Sequence, residues 1–400
     1  MSSLRELATV HYGKSPDGFR AEESNIPIIG TGGRYGFSTK PLFDGPLVVV
    51  ARKGTLGNPT FSGGGSWVVD TAYAVIPYEG VDAKWLYYSL SNFNLETLNE
   101  ATGVPSISRD YLYRVEFTTP SLPEQREIAR ILTTVDNLIE KTEALITKYQ
   151  AIKQGMMYNL FTRGVDENGY LRPTYEETPY LYKQSVLGWI PKAWELCRLH
   201  TCCALKGGFA FRSADFVNEG VRLVRIGNLF NRELDFSRDP VFLPHAFIAQ
   251  YPEFVVRAGD ILISLTGTFG KQDYGFAVRV PDYTDVCLLN QRVAKFSITG
   301  SLLPDFLIRV LQSQSYLERL YSLPGGTKQA NLTNQQVLSV LVPVPDVAEQ
   351  CRIGETFKSI DSRIIREKRV LDKVTYLKSG LVQDLLTGKV RVMVDEPEGQ

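Results

Sequence analysis

The sequence predicts an α/β (α+β) fold in which two globular halves built on mixed sheets are separated by two long helices that pair as an antiparallel coiled coil, a pseudo-two-fold internal repeat. Three observations predict it. First, Pro120–Val165 aligns without a gap to Pro345–Val390 at a constant offset of 225 (345 minus 120). Identities fall at Glu124/Glu349, Gln125/Gln350, Ile128/Ile353, Asp136/Asp361, Lys153/Lys378 and Gly155/Gly380, and a register held over about 46 positions dictates architecture. Second, the repeated segment carries apolar residues at alternating spacings of four and three, the seam of a coiled coil. Third, the stretches outside the repeat alternate β-branched or aromatic residues with Gly-rich turns.

Taken in order, residues 1–119 form the first globular half, with strands expected in IPIIGTGGRYGFS, GPLVVVARKGTLG and SWVVDTAYAVIP. Residues 120–165 form the first long helix. Its seam runs Ile128, Leu132, Val135, Ile139, Thr142, Ile146, Tyr149, Lys153, Met156. SLPEQ supplies a Pro and an acidic first turn, and Thr162 with Gly164 supplies the stop. From Pro123 to Leu160 such a helix is a rod of roughly 57 Å. Residues 166–189 are polar, Pro-containing and Tyr-rich, a crossover linker. Residues 190–344 form the second half, with strands expected in VRLVRIGNLF, GDILISLTGTFG and CLLNQRVAKFSI. Residues 345–390 form the second long helix, with the seam Ile353, Phe357, Ile360, Ile364, Glu367, Leu371, Val374, Lys378, Leu381. The polar breaks coincide, Thr142 with Glu367 and Lys153 with Lys378, as expected of a specified register. Residues 391–400 form a tail.

Composition excludes several classes of function. Lys plus Arg equals Asp plus Glu at 44 each, so no global basic field announces a nucleic acid, and DNA binding must rest on local patches or on a basic partner. The five cysteines, Cys197, Cys202, Cys203, Cys287 and Cys351, have neither zinc-ribbon nor C-x-x-C spacing. Their odd number implies reduced thiols, and with no apolar signal core or run of about 18 apolar residues the expected location is the cytoplasm. His11, His200 and His245 stand far apart without metal-ligand spacing. No phosphate loop, dinucleotide fingerprint or Asn/Asp-Pro-Pro-aromatic motif of amino-methyltransferases occurs. No catalytic residue, metal ligand or directly bound cofactor is expected.

The two halves resemble one another locally. LVVVARKGTLG and ILISLTGTFG each carry a strand into a G-T-x-G turn, Gly54 and Gly57 answering Gly267 and Gly270, and GVPSISRDYL stands where GTKQANLTNQQVL stands later. A common scaffold with divergent side chains suits two readers of different sequences, because turn amides and neighbouring Arg, Lys, Thr, Asn and Gln side chains reach phosphates and base edges. The candidates are Arg34, Arg52, Lys53, Thr55 and Arg109 in the first half. In the second they are Arg225, Asn228, Thr266, Thr268, Lys271, Gln291, Arg292, Lys328, Gln329 and Asn331. A helical scaffold or interaction protein without sequence-specific DNA reading is the competing interpretation.

PSLPEQREIARIL opening a helix that ends MMYNLFTRG, LGWIPKAWELCRL opening the second half, and AEQCRIGETFKSIDSRI ending LVQDLLTGKV together resemble the specificity subunit of type I restriction-modification enzymes across nearly the whole chain. The resemblance implies two target-recognition domains, each reading one half of a bipartite asymmetric site in double-stranded DNA. It implies helices that space them and dock two methyltransferase subunits, which bring S-adenosylmethionine and the adenine chemistry. A restriction subunit, a translocase-nuclease, would join for cleavage. Cys351 and Arg352 replace the Arg126 and Glu127 of the first repeat, a departure expected to weaken one partner contact relative to the other.

Overall fold

The computed structural model describes residues 1–393 except 231, 269–270 and 324–328, with Gln329 and Ala330 described by backbone alone. It contains two compact units, one of Met1–Ile146 with the chain from Arg366 onward, the other of Thr147–Ile365. The long helices are Leu122–Thr162 and Val347–Leu386. Each unit therefore holds one globular half, the start of one long helix and the end of the other.

In the first unit the main sheet runs Ala8–Tyr12, Ala72–Pro77, Leu47–Ala51, Thr60–Ser62, antiparallel throughout. Leu47–Ala51 is buried along its whole length because LVVVA is apolar on both faces. Leu47 and Val49 face a cluster with Ile28 and Trp67, while Val48 and Val50 face another with Trp85 and Leu86, as the two-residue period of a strand requires. A second sheet, Arg20–Ala21, Gly33–Ser38, Pro27–Gly30, Trp67–Val68, ends in a parallel pair. Helix Ala83–Asn92 starts at Asp82, whose carboxylate accepts the Lys84 and Trp85 amides at 3.0 and 2.8 Å.

The second unit repeats the topology of the main sheet. Its main sheet runs Cys203–Gly207, Val293–Ile298, Ile261–Ser264, Ala277–Arg279, again antiparallel, and Ile261–Ser264 is again wholly buried. Its second sheet contains the parallel pair Val221–Val224 with Cys287–Leu289. Pro304–Gln312 is the counterpart of Ala83–Asn92. Of the linker, Tyr182–Ser185 and Gly188–Pro191 form a β-hairpin. The five cysteines are free thiols. Among the described residues no helix is long and apolar enough to cross a membrane, and none form a cluster suited to a metal ion.

The equivalence of the halves extends to single atoms. Gly13 ends the first strand of one main sheet and donates its amide to Ala72 at 3.1 Å; Gly208 ends the other and donates to Val293 at 2.9 Å. A Cβ on Gly13 would fall on the Val69 carbonyl, and one on Gly208 on the Asn290 carbonyl. Neither backbone can retreat from a packed sheet. Gly13→Ala and Gly208→Ala are each expected to destabilise by roughly 1–3 kcal/mol, measured as a lowered midpoint in urea for the unit that carries the change.

Within each unit the two helix segments run antiparallel, held by residues that the repeat duplicates. In the first unit Glu124, 4% exposed, accepts Arg391 at 2.6 and 2.8 Å and the Val392 amide at 3.1 Å. The Arg391 guanidinium holds the Glu124 carboxyl below the usual carboxylate range. Asp136 binds Lys378 at 2.7 Å and the Tyr88 hydroxyl at 2.7 Å. In the second unit Glu349 accepts the Val165 amide at 2.8 Å and pairs with Arg172 of the linker. Asp361 binds Lys153 at 2.6 Å and also pairs with Arg309. Tyr88 and Arg309 occupy equivalent places on Ala83–Asn92 and Pro304–Gln312. The sequence-predicted lysine breaks in the seam are thus one half of two reciprocal ion pairs, Lys153 with Asp361 and Lys378 with Asp136.

The seam residues do more than pair helices. Ile128 and Leu132 lie in one cluster with Trp85, Leu86 and Leu90 of the globular half as well as with Leu385 and Leu386. Ile353, Phe357, Ile360 and Ile364 share a cluster with Met157, Leu160 and Phe161 and with Phe306. Ile146 is buried, whereas Val135, Ile139 and Leu371 are half-buried. Gln125 and Gln350 complete each attachment. Gln125 donates to Pro120 at 2.9 Å and accepts the Asp82 amide at 2.9 Å; Gln350 donates to Pro345 at 3.0 Å and accepts the Leu303 amide at 2.8 Å. Each glutamine satisfies the exposed start of a domain helix.

Candidate nucleic-acid interface

The chain enters the two G-T-x-G segments in the same way. In the first unit the chain leaves Leu47–Ala51 at Arg52, whose amide donates to Thr71 at 2.9 Å and whose carbonyl accepts the Ile107 amide at 3.0 Å. Lys53 bridges to Ser106, and Gly54, at φ 93°, donates to Pro105 at 2.9 Å. Ser108 then caps helix Arg109–Tyr113. In the second unit Leu265 donates to Arg292 at 2.9 Å and accepts from Leu332 at 2.7 Å. Thr266–Thr268 pairs with Gln329–Asn331, and Thr333 caps helix Asn334–Ser339. Hydrogen bonding thus equates Arg52 with Leu265, Thr71 with Arg292, Ser106 with Asn331 and Ser108 with Thr333. The scaffold is common and the side chains differ.

Of the first-half candidates, Arg34, Lys53, Thr55 and Arg109 are exposed and Arg52 is half-buried. Arg52 and Arg109 meet at the ring of Tyr12, their guanidinium carbons 5.5 and 5.3 Å from its centroid. Tyr12 is opposite Tyr73 in the sheet register, ring centroids 5.2 Å apart. Burial pushes the Tyr73 hydroxyl up to about 12, so it stays protonated and donates to the Ile107 carbonyl at 3.1 Å. Arg34 lies over Phe37, its guanidinium carbon 5.4 Å from the ring centroid. Tyr12 and Tyr73 were not among the sequence candidates; alternation sets Tyr12 on the face of the buried Ala8 and Val10, so no sequence signal marked its ring as exposed.

In the second half, Thr268, Lys271, Gln291, Arg292 and Asn331 are exposed. Arg292 donates to the Asn331 amide oxygen at 3.2 Å, and the Thr268 amide donates to Asp273 at 2.5 Å. Three candidates are engaged by their own surroundings. Asn228, 1% exposed, donates to the Asp235 and Arg238 carbonyls at 3.2 and 2.6 Å and accepts the Arg225 amide at 2.8 Å, so it braces a loop. Thr266 is buried in its strand. Arg225 spends its charge on Asp239 at 2.6 Å. Lys328 and the Gly270 of the second turn lie outside the described residues, and Gln329 is placed only as part of the strand.

Comparison with known proteins points to one family. The model of the type I restriction modification DNA specificity domain matches residues 1–153 and 191–376. The MjaVIII specificity subunit of Methanocaldococcus jannaschii is 30% identical over 317 residues, 78% of this chain and 71% of that protein. The putative MjaX specificity subunit of the same organism is 26% identical, over 78% of this chain and 69% of that one. Among solved structures, a type I restriction-modification S subunit from M. genitalium superposes with a TM-score of 0.63 at 16% identity, covering 96% of this chain and 95% of that one. The duplicated scaffold, the two differing turns and these likenesses converge: the chain belongs to the type I restriction-modification DNA specificity family and is a non-catalytic specificity subunit.

Proposed function

We propose that each globular half is a target-recognition domain reading one half of a bipartite asymmetric DNA site. The exposed side chains around the two G-T-x-G turns make the contacts. The observation that carries this reading is the recurrence of one hydrogen-bonded scaffold with different side chains, Thr71 and Ser106 against Arg292 and Asn331. In this reading the long helices set the gap between half-sites and dock two methyltransferase subunits in the cytoplasm. Those subunits carry S-adenosylmethionine and modify adenine, and a restriction subunit joins for cleavage. In the first unit the helix segments leave Leu138, Tyr376 and Leu377 at 47, 84 and 55% exposure, apolar surface suited to such docking.

Co-expression with a cognate methyltransferase subunit, followed by long-read mapping of modified adenines, tests the proposal. A single split motif methylated only when this chain is present is the expected result. A soluble complex that adds no methylation would favour the scaffold interpretation instead. The ruler is tested separately. Lengthening the first long helix by four residues between Glu143 and Ile146 adds about 6 Å, equivalent to one or two base pairs. The mapped motif should keep its letters and gain unread positions; an unchanged gap removes the ruler.

A further inference from the structure

We propose that the first recognition domain reads guanine, through Arg52 and Arg109 held as a pair of forks on the exposed ring of Tyr12. This rests on the DNA-reading role proposed above and assigns a base class to it. Both guanidiniums lie over one tyrosine, at 5.5 and 5.3 Å, and among the described residues neither pairs with a carboxylate. The Nε of Arg52 is buried without a partner, while its two Nη groups are neither hydrogen-bonded nor enclosed, so the end of the fork is what remains for a ligand. Its root is fixed by the bonds to Thr71 and Ile107, and Arg109 begins the helix capped by Ser108. The Tyr12 ring is in turn braced by Tyr73, whose hydroxyl is tied to Ile107.

Two unneutralised guanidiniums gathered at one ring are available to acceptors supplied from outside. A phosphate contact requires only charge and tolerates a flexible stem, whereas stacking an Arg on an aromatic face orients its planar fork. An oriented fork matches the O6 and N7 acceptors that guanine alone presents together in the major groove. No Asn or Gln is among the first half's candidates, whereas the second half sets Arg292 against Asn331 beside Gln291. Tyr12 is a positioning residue in this arrangement.

The test uses the full chain in its methyltransferase complex, selecting bound duplexes from a library randomised across both half-sites, with titrations at several salt concentrations. Arg52→Ala and Arg109→Ala should each erase a guanine preference at one position of one half-site, a loss of about 5- to 150-fold in discrimination. The other half-site should keep its letters. Tyr12→Leu should weaken the same guanine preferences while leaving the salt dependence intact, because no charge is removed. A uniform loss of affinity with every base preference preserved and a shallower salt dependence would assign the arginines to phosphates and overturn the proposal. So would relaxation at an A·T position. A wild-type complex with no split preference would overturn this inference and the DNA-reading role together, whereas a split motif unaffected by the arginine variants would overturn the guanine assignment alone.

Discussion

Glu349→Ala is expected to lower the stability of the second unit by about 3–5 kcal/mol, the cost of removing one partner from a buried ion pair. Glu349 is 1% exposed and its partner Arg172 only 16%. Removing the carboxylate strands that guanidinium and also orphans the Val165 amide, which donates to it at 2.8 Å. Glu124→Ala, the same change in the other repeat, should cost clearly less, because Arg391 is 71% exposed and water replaces the lost partner. Urea denaturation of the two variants checks the ordering. Equal losses would mean that linker and tail grip their glutamates equally. Arg172→Met in the Glu349→Ala background should recover part of the loss, since it removes the stranded charge while keeping much of the side-chain volume.

The second large effect is expected at Asp361. Asp361→Ala leaves Lys153 and Arg309, 22 and 18% exposed, facing each other without a carboxylate, at a cost of about 2–4 kcal/mol. Asp136→Ala removes one lysine contact and a neutral hydroxyl contact, so its cost should be smaller. The Asp361 variant also has a pH signature. Burial lowers the affinity of Lys153 for its proton, Arg309 lowers it further, and Asp361 opposes both. Without Asp361 the folded-state pKa falls again, while the unfolded chain holds its proton to about 10.4. The unfolded state then binds more protons than the folded state in the window between those two values, and stability rises with pH there. The deficit of Asp361→Ala relative to the parent chain should therefore narrow from pH 7 to pH 10. A deficit that stays constant or widens would show that Lys153 escapes to solvent in the variant.

Much of this architecture was legible because the repeat is exact in register. The identities at Glu124/Glu349, Gln125/Gln350, Asp136/Asp361 and Lys153/Lys378 were visible in the sequence, and their placement explains them: each is a polar group at a packed junction, where few side chains satisfy the geometry. Their partners were less legible. Arg172 and Arg391 lie in segments without periodicity, and Tyr88 and Arg309 differ in chemistry while filling the same place. The turns were readable from Gly54 and Gly267, but residue type does not distinguish a side chain that faces solvent from one that braces its own loop. Asn228 has the composition of a base reader and the surroundings of a strut. Tyr12 shows the converse, since an aromatic residue closing a strand looks like core until its exposure of 48% is known.

The exchange of helix ends also bears on how the chain is made. The first globular half emerges from the ribosome before the second, yet Glu124 and Asp136 acquire Arg391 and Lys378 only after the whole second half has been made. The second unit is made of residues that end at Ile365. Of the two halves the one translated first is therefore finished last, and a nascent chain carries the unpaired start of its first long helix throughout the synthesis of the second half.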